Sequence, residues 1–494
     1  MFERISPEQA GVSSKAVLKF IKTLEKYRFN THSIIMARGG KIFSECYYAP
    51  FDRNFKHRMY SVSKSFVSVA VGLLVEDGKI SLDDTLMSYL PEYTEKAKEA
   101  GNFEYLNAMT IRDMLEMQTC KGNSRIDWFA AKLPDRVDVY FKKGYDRPSG
   151  MIFNYDSPGS YMLGVIVERI TGKPFLDFMK ERFLEKCGFS SDAYCLKCPG
   201  GHSFGDSGVM CTARDLLIFA RFVMNGGTWE DVRYMDEGYL REATSRKTAN
   251  EVRDIVTYDS LGYGYQIWKA PRDGFAFVGV GDQFAICDPK TDFIFIINSD
   301  DQGYTNSRPI LYHALYDYIV EELGESLPED KKAYGALLEY EKTRKLNIAR
   351  GNTSSAYSDA VNGVTFNLEP NPMGITHFRL SFDGDEGVFS YTNAQGGKEL
   401  RFGFGKNVFG IFPQTGYSDM VSGEDCPGNT YKCAVSAEWQ EEKKLHLKVQ
   451  IIDKYFGLLD ILFSFKDEKV LVAMEKTAES FLDEYTGFAN GKRA

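Results

Sequence analysis

The sequence predicts an α+β unit, in which an antiparallel sheet and its helices carry an all-helical lobe, followed by a C-terminal all-β domain. Three observations support this. Strand patterns occur before residue 50 and return only after residue 260, with helical periodicity filling most of the interval. Beyond residue 351, short alternating segments follow one another between turn residues. The chain has 494 residues, more than one ordinary core accommodates.

The elements follow in order. Ser13 to Tyr27 has helical periodicity. His32 to Arg38 and Lys41 to Tyr48 read as a hairpin around Gly39-Gly40, a two-residue turn that needs positive φ. An apolar run through Phe66, Val67, Val69, Val71, Leu73 and Leu74 has no proline and stops at Gly78, so it reads as a buried helix. Residues 80–225 are mostly helical, with helices at Ile111–Met117, Tyr161–Ile170, Phe175–Phe183 and Ala213–Met224. Strands are expected at Tyr263–Trp268, Phe275–Val280, Phe284–Asp288 and Phe293–Asn298, then a helix at Ile310–Leu323. The boundaries read from this are a first domain at 1–325, a Lys-, Glu- and Ala-rich helical linker at 326–350, and an all-β barrel or sandwich at 351–494.

The segment Tyr60-Ser61-Val62-Ser63-Lys64 opens the apolar helix. Residues three apart share a helical face, so the Lys64 ammonium can reach the Ser61 hydroxyl. A serine hydroxyl is a poor nucleophile until a base takes its proton. A buried lysine can be that base, and a helix N-terminus adds partial positive charge where the oxygen attacks. The alternative is a serine cap beside a surface lysine. The strongly apolar helix argues against it, because Lys64 then faces an interior.

Linked segments extend the pattern: Pro7 to Val12, Arg58 to Phe66, Gly78 to Asp84, Met109 to Leu115, Phe153 to Ser157 and Thr212 to Asp215. In this order they resemble the serine β-lactamase and penicillin-binding superfamily, in its class C-like branch of related hydrolases and esterases. The resemblance covers the first two thirds of the chain. It implies a β-lactamase-like sandwich with a site in the crevice beside the helical lobe. It also implies a Tyr-x-Asn motif whose tyrosine shares proton transfer with the lysine. The best match is Tyr155-Asp156-Ser157, with Ser157 in place of asparagine. A phenol beside an ammonium can have a lowered pKa and, as the phenolate, accept the nucleophile's proton. Ser157 would orient Lys64 or the substrate.

The third motif of the superfamily is Lys-Thr-Gly or His-x-Gly. Here the strand reads Phe277-Val278-Gly279-Val280. Gly279 allows close approach to substrate, and the Val280 N–H would join that of Ser61 as an oxyanion hole. Phe277 replaces the cation that binds a substrate carboxylate, so it would form an apolar wall. That disfavours an ordinary β-lactamase and favours an esterase or amidase.

Composition sets further limits. Hydrophobic residues at 43% and charged residues at 26% describe a globular chain, and a net charge of −9 argues against nucleic acid and anionic membranes. No apolar signal core or bilayer-length stretch is present, so a cytoplasmic protein with no membrane partner and free thiols is expected. Cys195 and Cys198 with His202 could suggest zinc. No second Cys-x-x-Cys completes a tetrad, and no metal or organic cofactor is expected. Asp383 to Gly387 reads as a hairpin tip, and Gly403-Phe404-Gly405 lacks the features of a dinucleotide site.

The expected activity is therefore hydrolysis of a small ester, amide or short peptide through an acyl-enzyme on Ser61. A D-stereospecific peptidase or β-lactamase is the nearest alternative, and a catalytically silent ligand-binding homologue the next. The β-domain would be a lid or a homodimer contact.

Overall fold

The computed structural model describes residues 2–121, 128, 135–142, 144–251, 258–304, 306–421, 423–478 and 481–494. The chain divides into two compact units. The first is Met1–Lys345 with Met420–Gly423, and the second is Leu346–Asp419 with Glu424–Ala494.

The first unit begins with α1, Ser14–Lys26, whose N-cap Ser13 accepts from the Ala16 N–H at 3.1 Å. Its Val17, Phe20, Ile21 and Leu24 form one apolar stripe. Strands β1, Thr31–Arg38, and β2, Lys41–Tyr47, follow as the expected hairpin. Gly39 and Gly40 both take positive φ, at 58° and 73°. Next comes α2, Ser63–Glu76, buried along most of its length. Within the helical region lie α3, Ser157–Thr171, and α4, Ala213–Met224. Strands β3, Trp268–Lys269, β4, Phe275–Gly279, β5, Gln283–Asp288, and β6, Phe293–Ser299, complete an antiparallel sheet. Its order is β2-β1-β6-β5-β4-β3. Helix α5, Ser307–Leu315, continues as a π-helical turn to Val320.

The sheet is covered on both faces. Ile34, Met36, Val278, Phe284, Ile286, Phe295 and Ile297 meet the apolar residues of α1 and α5. On the other face the Phe277 ring lies 5.1 Å from Phe219 of α4, which stacks on Phe66 of α2 at 3.7 Å. Each such side chain contributes about 1.5–3 kcal/mol by leaving water. That packing fixes α2, and with it Lys64, against the sheet.

Two expectations are corrected here. Tyr263–Trp268 is not a strand. Gln266 turns to φ 57° and gives its N–H to the Leu115 carbonyl, which leaves single bridges at Tyr263 and the short β3. The segment read as a linker contains α6, Lys331–Lys342, but that helix belongs to the first unit. Leu337 is fully buried with the α1 core, and Glu341 accepts from the Ser44 hydroxyl and from Arg4, each at 2.6 Å.

The second unit is built from β7, Thr365–Leu368, β8, His377–Asp383, β9, Glu386–Asn393, β10, Gly396–Phe404, β11, Val408–Ile411, β12, Lys432–Glu441, β13, Lys444–Ile452, β14, Phe456–Lys466, β15, Lys469–Ala478, and β16, Gly487–Arg493. Neighbours run antiparallel from β10 through β7, β16 and β13 to β12. A parallel pairing of Gly403 with Ser436 and Phe404 with Ala437 joins β10 to β12 and closes the sheet into a barrel. The Asp383 to Gly387 run is the β8–β9 hairpin tip, as expected. Among the described residues, no helix is long and apolar enough to cross a membrane. All nine cysteines are unbridged.

A buried histidine pair lies just upstream of α2. His57 Nδ1 is 3.0 Å from the Arg58 carbonyl, which can only accept, so this nitrogen carries the proton. His57 Nε2 then accepts from His32 Nδ1 at 2.8 Å. Burial pushes His57 down to about 3 and His32 well below its ordinary value. A depressed histidine contributes stability that is present above its unfolded pKa near 6.5 and lost as pH falls. The stability advantage of wild type over His57→Gln should therefore shrink by about 2 kcal/mol between pH 7 and pH 5. Urea unfolding at the two pH values checks this; a pH-independent difference would contradict it.

Candidate active site

The nucleophile segment is held by backbone and side chains together. The Met59 N–H donates to the Val209 carbonyl at 2.9 Å, and the Val209 N–H donates to Ser63 Oγ at 2.9 Å. Tyr60 takes φ 47°, an uncommon conformation for a bulky residue and a local strain held by its surroundings. The Arg58 guanidinium lies 4.4 Å from the Tyr60 ring centroid. Arg58 in turn donates to the Ser207 carbonyl and hydroxyl, each at 3.0 Å. Tyr60–Val62 forms a 3₁₀ turn leading into α2, which leaves Ser61 half-buried at the helix start.

Lys64 is fully buried one turn on, and its Nζ donates to Ser61 Oγ at 3.0 Å. It also donates to the Asp206 carbonyl at 2.6 Å. The dipeptide Asp206-Ser207 thus holds Lys64 with one carbonyl and Arg58 with the next. The Lys64 ammonium lies 5.1 Å from the Tyr155 ring centroid. Ser61 and Lys64 are therefore brought together as the spacing predicts, and Tyr155 stands beside Lys64 as the resemblance implies.

Two aspartates that the sequence reading did not select interact with Lys64 from buried positions. Asp156 and Asp206 are buried and both feel the Lys64 charge. Burial pushes each carboxyl up, and neighbouring donors and cations, Lys64 among them, pull each back. Asp206 Oδ2 accepts from the Trp128 indole at 3.1 Å. Nothing in the spacing of Asp206 signals this role. Asp156 stands beside Tyr155, and only its burial distinguishes it. Ser157 opens α3 and is buried, while the Lys64 hydrogen bonds run to Ser61 and Asp206.

The third motif divides. A Cβ on Gly279 would lie 2.5 Å from the Met59 carbonyl oxygen, so only glycine lets β4 approach the nucleophile turn this closely. Val280 is 45% exposed at the start of the β4–β5 turn. Phe277 does not form a wall of the crevice, contrary to expectation. It is fully buried, with its ring against Phe219 and Phe275. The apolar surface beside Tyr155 is built instead by other aromatic residues. Trp268 stacks on Tyr155 at 5.6 Å, and Tyr263 and Phe153 pack around the same indole at 4.9 and 6.0 Å.

The residues considered for zinc are engaged elsewhere. His202 Nδ1 meets Glu168 at 2.8 Å, and Cys198 lies 3.0 Å from the Tyr161 hydroxyl. Among the described residues, no group of three or more His, Cys, Asp and Glu side chains could hold a metal.

Comparison with known proteins agrees with this architecture. The chain is 26% identical over 282 residues to 6-aminohexanoate-dimer hydrolase of Paenarthrobacter ureafaciens, covering 54% of this chain and 71% of that protein. It is 26% identical over 185 residues to penicillin-binding protein 4* of Bacillus subtilis (strain 168), covering 34% of this chain and 38% of that protein. A Bacillus anthracis structure named for 6-aminohexanoate-dimer hydrolase superposes with a TM-score of 0.54 at 18% identity, over 67% of this chain and 89% of that one. This last likeness speaks to the fold alone. The Beta-lactamase family model matches residues 18–317, and with the Ser61–Lys64 pair at the head of its buried helix the chain belongs to that family.

Proposed function

We propose that this serine hydrolase cleaves a small, uncharged ester or amide through an acyl-enzyme on Ser61. The observation that carries the reading is the 3.0 Å hydrogen bond between Ser61 Oγ and the fully buried Lys64 Nζ. Ser61 Oγ bonds to the substrate carbonyl carbon as its proton passes to the Lys64–Tyr155 pair. The carbonyl oxygen becomes an oxyanion held by the Ser61 and Val280 N–H groups. The proton then goes to the leaving alcohol or amine as the scissile bond breaks. Water, deprotonated by the same pair, attacks the acyl carbon; the bond to Ser61 Oγ breaks, the proton returns to that oxygen, and the acid leaves. Ser157, at the start of α3, would help position the substrate.

The aromatic surface of Tyr155, Trp268 and Phe153 suits apolar acyl groups, since rings of this size contribute contact area and stacking. The relative named 6-aminohexanoate-dimer hydrolase supports including amides among the substrates. The test is intact-protein mass after exposure to p-nitrophenyl esters, D-amino-acid amides and β-lactams. A single acyl adduct on Ser61 from the neutral esters or amides is expected. Adducts only from β-lactams, or none on Ser61, would overturn the reading.

The proton path has its own consequence. Lys64→Ala and Tyr155→Phe should each lower kcat by on the order of a hundredfold or more. The double variant should lose far less than the product, because groups acting as one unit are non-additive. Strictly multiplicative losses in steady-state kinetics would separate the two residues.

A further inference from the structure

The turn that carries Val280 is anchored by two buried side chains, Asp282, whose carboxyl group faces Arg308 at 3.6 Å, and Gln283. Gly279 pairs with Gln283 across the β4–β5 hairpin, so Val280, Gly281 and Asp282 form the loop. Gly281 and Asp282 both take positive φ, at 75° and 65°. The side chain of Val280 is 45% exposed and so gives the loop little packing anchor. Its backbone must be fixed by hydrogen bonds.

Gln283 supplies them. It is fully buried, and the two N–H groups of its Nε2 are shared among the carbonyls of Val280 at 3.0 Å, Gly281 at 3.2 Å and Ser299 at 2.6 Å. Its Oε1 accepts from Asn298 Nδ2 at 3.2 Å and from the Ser299 N–H at 3.3 Å. This orientation of the amide is chemically required, because carbonyls only accept and N–H groups only donate. A second strut, the Asp301 N–H, donates to the Gly281 carbonyl at 3.2 Å. On the other side Gly279 is wedged against the Met59 carbonyl. Val280 is thereby pinned upstream by close backbone approach and downstream by the Gln283 carboxamide.

We infer that Gln283 is a positioning residue of the oxyanion hole, which sets the direction of the Val280 N–H by holding the carbonyls of the turn. The inference rests on the proposed roles of Ser61 and Val280. An oxyanion donor acts only if it is aimed before the charge develops. Freeing the turn lets the Val280 peptide rotate, while the aromatic surface that binds the ground state is untouched. The loss should fall on kcat and leave KM nearly unchanged.

The experiment compares wild type, Ser61→Ala, Gln283→Met and Asn298→Ala on a p-nitrophenyl ester, and measures inhibition by phenylboronic acid. A serine-bound boronate places an oxygen in the oxyanion hole, so it reads the aim of the donors directly. Methionine keeps the shape of glutamine without its donors. Gln283→Met should lower kcat by about ten- to a hundredfold and weaken phenylboronic acid by a similar factor, with KM within about twofold. Asn298→Ala keeps Gln283 but removes one of the two donors that orient its amide. Because the Ser299 N–H still donates to the Gln283 Oε1, this variant should shift both quantities the same way and less far, and it keeps the test open if Gln283→Met does not fold. If kcat falls while boronate inhibition is unchanged, or if neither changes, the inference is overturned and the Ser61 reading stands. If Ser61→Ala retains turnover, it is the underlying reading that fails.

Discussion

Ser61→Ala is expected to lower kcat/KM for neutral esters by about ten-thousandfold or more, which corresponds to about 5.5 kcal/mol of lost transition-state stabilisation. No neighbouring group can substitute for the missing oxygen. In the proposed mechanism Lys64 and Tyr155 only move a proton, and the Ser61 and Val280 amides stabilise charge only after a nucleophile has attacked. What remains should be the modest acceleration that binding and an oxyanion hole provide without a nucleophile. The fold should be kept. Ser61 is half-buried, and Lys64 retains its bond to the Asp206 carbonyl when the hydroxyl is gone. Loss of one hydrogen bond of this kind costs about 1 kcal/mol of stability. The check is steady-state turnover beside labelling with a fluorophosphonate. One label on wild type and none on Ser61→Ala, with unchanged circular dichroism, is the expected result. Labelling at another serine, or turnover within tenfold of wild type, would sink the mechanism.

Local signals in the sequence carried most of the architecture, because the elements that matter obey them. The Gly39-Gly40 turn between alternating strands needs both residues at positive φ, and that requirement is visible in two letters. The apolar run of α2 and the three-residue step from Ser61 to Lys64 define the dyad without any tertiary information. The barrel strands alternate because one face is buried and the other is wet.

The misreadings have physical reasons. Tyr-Gly-Tyr-Gln-Ile-Trp alternates like a strand, but Gln266 gives its side-chain donors to the Met114 and Leu115 carbonyls and turns left-handed to do so. Composition hid the place of α6, because one buried Leu337 and a paired Glu341 hold the helix among many charged residues. Asp206 and Gln283 were out of reach for a different reason. Each acts through long-range hydrogen bonds between segments that only the fold brings together. A buried aspartate or glutamine carries no periodic signature, so only its partners reveal it.

Phe277→Lys is expected to unfold the first unit rather than redirect its specificity. Position 277 shares a strand face with Gly279, and that face turns toward α4. The ring is fully buried between Phe219 and Phe275, in a stack that continues to Phe66 on the nucleophile helix. Removing a buried phenylalanine costs about 3–5 kcal/mol, and an unpaired buried ammonium adds several more. That sum approaches the whole stability of an ordinary domain, about 5–15 kcal/mol. Any folded fraction should lose activity on neutral and carboxylate-bearing substrates alike, because α2 loses its seat against the sheet. Phe277→Leu gives the milder test: a loss of about 1–2 kcal/mol in urea unfolding with an unchanged ratio of ester to β-lactam hydrolysis. Specificity should answer instead to Trp268, whose ring stacks on Tyr155. Trp268→Ala should lower kcat/KM for aromatic or long-chain acyl esters about tenfold more than for acetate esters, the scale of one lost apolar contact of about 1.5 kcal/mol. A folded Phe277→Lys that gains carboxylate-bearing substrates, beside a Trp268→Ala with unaltered acyl preference, would return position 277 to the substrate surface. With the ring seated on Phe219, the opposite pair of results is expected.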